Sequence, residues 1–282
     1  MRAVLLLSCP DRRGLVASVA SFVSDHGGNI VHADQHTDSE LGIFFQRIEF
    51  ELEHFDIDRD EIQAAFRPVA DQFDMSFEIR FTDQRAQLAI LCSRQTHCLY
   101  DLLARWRSGE LDADVRAVVS NHPDHDHVAE HFGAEFHHLP VIPKTRDQQE
   151  QAMTTLLDRA SVDLVVLARY MQILSPAFID RFRNRIINIH HSFLPAFPGA
   201  KPYRQAYERG VKIIGATAHY ATENLDEGPI IDQDVVRVSH RDTVDDLVRK
   251  GRDLETAVLA RAVRDHVDHR ILVYGKKTVV FS

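Results

Sequence analysis

Arg185–Ala200 reads RIINIHHSFLPAFPGA, and this stretch decides how the rest of the chain is read. It opens on Ile186, Ile187 and Ile189, the apolar run of a buried strand, and turns polar at Asn188, His190, His191 and Ser192. Pro195, Pro198 and Gly199 follow, so the strand is expected to run out into a loop rather than a helix. In open α/β sheets, ligands bind beyond the carboxyl ends of the strands. Asn188 and His190 lie two residues apart and so share one face of the strand. An amide donor beside an imidazole suits the stabilisation of an oxyanion or the handling of a proton. Taken alone, Asn-x-His also fits a hydrogen-bonded pair at a strand end.

A second segment bears on that choice. Between the strand-like stretches KIIGATAHYA (Lys212–Ala221) and IIDQDVVRV (Ile230–Val238) lies a turn-rich connection with Asp226, Gly228 and Pro229. Asn-x-His-His-Ser-Phe-Leu-Pro followed by Leu-Asp-Glu-Gly-Pro resembles the folate-dependent formyltransferase superfamily. The resemblance implies that Asn188, His190 and Asp226 form a catalytic triad. It also implies that ARYMQILSP (Ala168–Pro176) wraps a pterin ring through Met171, Gln172, Ile173 and Leu174. His191, Ser192 and His219 are further substrate-site candidates; for His219 a partner behind the triad and a satisfied core histidine are both open. In this scheme Asp226 takes a proton from water, a role that asks for a carboxyl pKa raised by burial.

Outward from this core, strand and helix patterns alternate from about residue 85. LAILCS, VRAVVSN, EFHHLPV and DLVVLA read as strands; HCLYDLLARWRSG, DHVAEHFG, QEQAMTTLLDRA and AFIDRFRN read as helices. Such alternation predicts a mostly parallel sheet with helices on both faces. A long helix over about 243–266 and a terminal hairpin, ILVYGKKTVVF, close the chain.

The amino-terminal part reads differently. RAVLLLS is a strand and residues 13–26 an amphipathic helix ended by Gly27-Gly28-Asn29. NIVHADQHT and GIFFQRIEFEL form a hairpin, DRDEIQAAFRPVADQF a second helix with a break or kink expected at Pro68, and MSFEIRFT a last strand. The order βαββαβ is ferredoxin-like. With its opening Cys-Pro-Asp-x-x-Gly-Leu this part resembles an ACT domain, which implies an amino-acid effector near Asp11, Gly14, Gly28 and Asn29, and association into a homo-oligomer, dimer or tetramer. The expected fold class is therefore α/β: an ACT-like regulatory domain over 1–84, then a Rossmann-like formyltransferase-type catalytic domain over 85–282.

At 282 residues the chain has length for two ordinary domains. Its net charge of −9 disfavours nucleic acid and anionic membranes as partners. No run approaches the roughly 18–20 apolar residues of a membrane span, and the apolar core VLLL of MRAVLLLSCPDRRG is too short for a signal peptide. Three scattered cysteines (Cys9, Cys92, Cys98) make no disulfide framework, so a reducing cytoplasm is expected. The histidines of Asn121–His138 suggest a metal, but His125 and His127 do not share a helical face. Solvated or capping histidines are expected there, and no metal or other cofactor.

The superfamily resemblance leaves the acceptor to be chosen. Members acting on glycinamide ribonucleotide carry a glycine-rich loop for the substrate phosphate after the first strand. Here that loop, Cys92–Cys98 (CSRQTHC), has no glycine. With the ACT-like part, this resembles the branch of the superfamily that passes the formyl group to water. Hydrolysis of 10-formyltetrahydrofolate to tetrahydrofolate and formate is expected, the formate supplying purine synthesis. The alternatives are transfer to an amine and a non-catalytic folate or amino-acid sensor. A serine hydrolase built on Ser192 is disfavoured because Ser192 lacks a glycine-flanked elbow.

Overall fold

The apolar run at the amino terminus becomes a strand covered on both faces. In the computed structural model, which describes residues 1–142, 144–195 and 202–281, β1 (Arg2–Pro10) is followed by α1 (Leu15–Asp25), β2 (Asn29–Asp38), β3 (Ile43–Glu51), α2 (Ile62–Gln72) and β4 (Ser76–Phe81). The antiparallel sheet has the order β2-β3-β1-β4. Leu5, Leu7 and Cys9 of β1 pack with Leu15, Val19 and Val23 of α1 and with Ile62, Phe66 and Ala70 of α2. Val4 and Leu6 point to the other face, where Phe45, Leu272, Tyr274, Val279 and Phe281 cover them. Each fully buried Leu, Val, Ile or Phe among them contributes about 1.5–3 kcal/mol of transfer free energy. Pro68 is exposed and does not break α2, because Ile62, Phe66 and Ala70 hold the inward face on either side of it.

By contact the chain divides into two units. The first is Met1–Arg85 joined by Asp268–Tyr274 and Thr278–Ser282; the second is Ala86–Val267 with Gly275–Lys277. The terminal hairpin thus contributes to the first sheet's second hydrophobic face, and Arg47 donates to the carbonyls of His269 (3.0 Å) and Asp268 (3.2 Å).

The second unit begins with β5 (Ala86–Cys92), α3 (His97–Ser108), β6 (Ala113–Ser120), α4 (Asp126–Phe132), β7 (Phe136–His138), α5 (Arg146–Arg159), β8 (Leu164–Ala168), α6 (Pro176–Arg181) and β9 (Ile186–His190). It continues with α7 (Pro202–Arg209), β10 (Ile213–Tyr220), β11 (Ile230–Arg237) and α8 (Val244–Val267), and the hairpin strands are β12 (Ile271–Tyr274) and β13 (Lys277–Val280). Its seven-stranded sheet runs β11-β10-β9-β8-β5-β6-β7. The strands from β9 to β7 pair in parallel, whereas β10 and β11 are antiparallel additions at one edge. Every residue of β8 is buried, as in a parallel strand with both faces covered. Helix α7 has no counterpart in the sequence reading. Pro198 and Gly199, expected in the loop after β9, lie outside the described residues.

Candidate active site

Strand β9 delivers the first two functional groups. Antiparallel pairing sets Asn188 opposite His219 and His190 opposite Thr217 of β10, so the four polar side chains share one neighbourhood. The connection from β10 to β11 then returns Asp226 to it. Asp226 takes a left-handed φ of 59°. Gly228 lets this loop lie against β10, since a Cβ there would overlap the Tyr220 carbonyl.

The three expected catalytic residues come together. His190 Nδ1 lies 3.2 Å from Asp226 Oδ1 and donates to it, with the side chains 6% and 15% exposed. The opposite nitrogen, Nε2 of His190, is buried without a hydrogen-bond partner. His219 is buried; its Nδ1–H donates to the Tyr220 carbonyl at 3.0 Å. Its Nε2 therefore carries a lone pair and accepts from Asn188 Nδ2 at 3.1 Å, which fixes which way that amide faces. Burial lowers the His219 pKa and keeps the ring neutral. The 3.8 Å approach of His219 Nε2 to Asp226 is accordingly no hydrogen bond.

Asp226 corrects one expectation. Burial does raise its carboxyl pKa, but the hydrogen bond and charge of His190 outweigh that and leave it below the usual carboxylate range. The carboxylate is held ionised by its imidazole partner, not neutralised by apolar walls.

The loop after β9 is held through Thr217. Its Oγ1 donates to the Ser192 carbonyl (2.9 Å) and accepts from Leu194 N (3.1 Å) and Gln233 Nε2 (2.9 Å). Ser192 is buried in this arrangement. His191, whose ring lies 5.1 Å from that of His190, has its pKa lowered to about 4, chiefly by burial and then by the Arg169 charge.

The segment after β8 sits at the same carboxyl edge. Met171 N donates to Ser93 Oγ at 3.0 Å, and the Arg146 guanidinium holds the Ile173 carbonyl. The side chains of Met171 and Ile173 are left exposed at 60% and 63%; Gln172 is partly buried, and Leu174 is partly buried against the core.

The four effector candidates do not converge within one chain. Pro10 pairs with Ile43 and Asn29 with Glu51, so the Asp11–Gly14 turn and Gly28-Asn29 lie eight register steps apart on β3, about 26 Å at ~3.3 Å per residue. Gly28 serves packing: a Cβ there would meet Val23 and Phe55. Asn29 donates to Glu51 at 2.9 Å.

The histidine-rich segment does not form a ligand cluster. His125 is a buried residue bonded to the Ser93 carbonyl, not a solvated one, while His122 contacts Asn121 and His137 contacts Glu135. Among the described residues, His97, Cys98 and Glu255 place potential ligand atoms within 4.8 Å of one another. The Glu255 carboxylate is however already engaged by His97 (2.8 Å), Tyr203 (2.6 Å) and Arg169 (3.4 Å). The Cys98 thiol is pushed far up by burial and by Glu255, so the cluster is organised as an ionic network rather than as a ligand set. Sequence reasoning missed this network, although the interior glycine Gly251 of α8, one turn before Glu255, signals a close approach.

With the geometry in place, similarity adds the family. The Formyl transferase family model matches residues 86–263 and the ACT domain model residues 3–67. A formyltetrahydrofolate deformylase of Synechocystis sp. is 57% identical over the whole chain and 99% of its own length. That of Escherichia coli K12 is 44% identical over 99% of this chain and 98% of its own. The crystal structure of a formyltetrahydrofolate deformylase from Pseudomonas syringae superposes with a TM-score of 0.97 at 48% identity, covering 100% of this chain and 95% of that one. A glycinamide ribonucleotide transformylase from Symbiobacterium toebii matches 70% of this chain and 95% of its own at a TM-score of 0.66 and 34% identity.

Proposed function

The chain belongs to the formyltetrahydrofolate deformylase family, and we propose that its hydrolysis of 10-formyltetrahydrofolate runs through Asn188, His190 and Asp226. The observation that carries this reading is the convergence of the three, with Nε2 of His190 buried and unpartnered beside a fixed Asn188 amide. The water oxygen adds to the formyl carbon, and one of its protons passes to the hydrogen-bonded Asp226–His190 pair. Asn188 and His190 face the developing oxyanion, a contribution of roughly 3–4 kcal/mol per well-placed donor. As the carbon–nitrogen bond breaks, the pair returns the proton to the folate nitrogen, giving tetrahydrofolate and formate. His219 positions Asn188. Met171, Gln172, Ile173 and Leu174 hold the pterin, with the exposed apolar side chains of Met171 and Ile173 on a tethered backbone. The reaction needs water and no cofactor.

The ACT-like unit binds an amino-acid effector at its Asp11–Gly14 turn and mediates self-association. The product formate feeds purine synthesis. Three free, buried cysteines suit a reducing cytoplasm. No helix among the described residues is long and apolar enough to cross a membrane. The test is formate release by the purified chain from 10-formyltetrahydrofolate. It should be unchanged by added amines such as glycinamide ribonucleotide; formylation of the amine with formate only at background would overturn the choice of water.

A further inference from the structure

The network around Glu255 lies one residue from the catalytic imidazole. The His191 ring, next in sequence to His190, is 6.1 Å from the Tyr203 ring, and the Tyr203 hydroxyl donates to Glu255 at 2.6 Å. Glu255 is 1% exposed, yet its pKa is lowered: burial raises it, and His97, Arg169 and Tyr203 outweigh the burial. A guanidinium, an imidazole and a phenol trained on one anion are the donor set of an oxyanion receptor. Here the receptor is filled by the chain's own carboxylate. His97 opens α3 in the connection that follows β5, Arg169 directly follows β8, and Tyr203 lies on α7, at the same edge that carries the proposed reaction. Arg169 turns into the recess from a left-handed φ of 62°, an uncommon conformation for a long side chain. Tyr203 reaches Glu255 only because Gly251 of α8 bears no Cβ.

We propose that Glu255 is a resident counter-anion that fills a cationic recess beside the reacting centre, so that a phosphate-bearing amine acceptor finds no site and water remains the acceptor. This rests on the hydrolytic reading above and explains it: Arg169 and His97 are present but spent on an internal partner. Glu255 acts by occupying the recess, not by touching substrate, so its role is acceptor specificity.

The test uses the full chain as wild type, Glu255→Ala and Glu255→Asp, with inorganic phosphate as probe against chloride at equal ionic strength. In Glu255→Ala, phosphate should raise the thermal transition by about 3–5 °C at tenfold its dissociation constant. The same variant should show saturable inhibition of formate release by phosphate, and protein recovered only from phosphate buffer would count equally. Wild type and Glu255→Asp, which keep the charge in the recess, should respond to neither. Failure of Glu255→Ala to fold in either salt, or equal responses to phosphate and chloride, would overturn the proposal. So would a phosphate response of Glu255→Asp matching that of Glu255→Ala. Absence of formate release from wild type in chloride would instead defeat the hydrolytic reading, because the melting comparison does not depend on turnover.

Discussion

Gly251→Ala should destabilise the protein although alanine is the better helix former. A methyl group at this position in α8 falls within 2.5 Å of the Tyr203 ring carbon Cε1 and nearer still to Cζ and the hydroxyl. Carbon atoms pack at about 3.5–4.0 Å, so the ring must retreat by roughly 1–1.5 Å. That breaks the 2.6 Å bond to Glu255, a hydrogen bond to a charged group worth about 1.5–3 kcal/mol. Overpacking adds about 1–3 kcal/mol, and helix propensity returns about 1 kcal/mol. The net loss is about 1.5–5 kcal/mol, or roughly 3–20 °C in the thermal transition of the unit that carries α8. The assay is calorimetric melting of four proteins: wild type, Gly251→Ala, Tyr203→Ala and the double variant. With the ring gone, the alanine should stabilise by up to about 1 kcal/mol, so its effect changes sign between the two backgrounds. If Gly251→Ala stabilises the parent, or if the two changes add within about 0.5 kcal/mol, the contact with Tyr203 does not decide why residue 251 is glycine.

Other outcomes follow from the same geometry. Asp226→Asn keeps the volume but removes the carboxylate that pairs with His190; kcat should drop by at least about 100-fold with folate affinity largely kept, and near-native turnover would take Asp226 out of the proton path. His219→Leu removes the acceptor that fixes Asn188, so kcat should fall about 10- to 100-fold with little change in KM; an equal loss in KM would assign His219 to binding instead. His191, with a folded pKa of about 4 against 6.5, stays neutral while the unfolded chain takes up a proton. Stability should therefore rise with pH across that interval by up to about 3 kcal/mol, and denaturant melts of His191→Gln should lose that part of the slope; an unchanged slope would refute it. Deleting Met1–Arg85 alone strips Val4, Leu6 and Phe45 from Leu272, Tyr274, Val279 and Phe281. That product should bind a hydrophobic dye and aggregate, whereas a fragment covering 86–267 should not; equal behaviour of the two would show that the hairpin does not depend on the first sheet.

Much of the fold was legible because its signals are local. β1 reads as a continuous apolar run because two different hydrophobic clusters cover its two faces, and β8 because all five of its residues are buried. Helix α7 was not legible: of its described side chains only Ala206 is buried, too sparse a pattern for a helical period to show. Pro68 misled in the other direction. It predicts a break wherever helix propensity decides, but here three inward side chains of α2 outweigh one missing N–H on the exposed face.

The site divides along the same line. Asn188 and His190 were legible because two-residue spacing and strand geometry place them without further information, and Asp226 because its turn residues accompany the resemblance. The sign of the Asp226 shift was not, since it depends on a competition between burial and one 3.2 Å contact, and no spacing in sequence encodes which is larger. Glu255 was least legible of all. Within an amphipathic helix a glutamate reads as a solvent-facing residue, and the groups that make its burial tolerable lie 52, 86 and 158 residues away at Tyr203, Arg169 and His97. A buried carboxylate without such partners would shift toward neutrality or drive the helix to turn. That this one remains charged requires all three partners to be delivered by independent strands and helices, and the position that admits one of them, Gly251, is the only local trace the network leaves in α8.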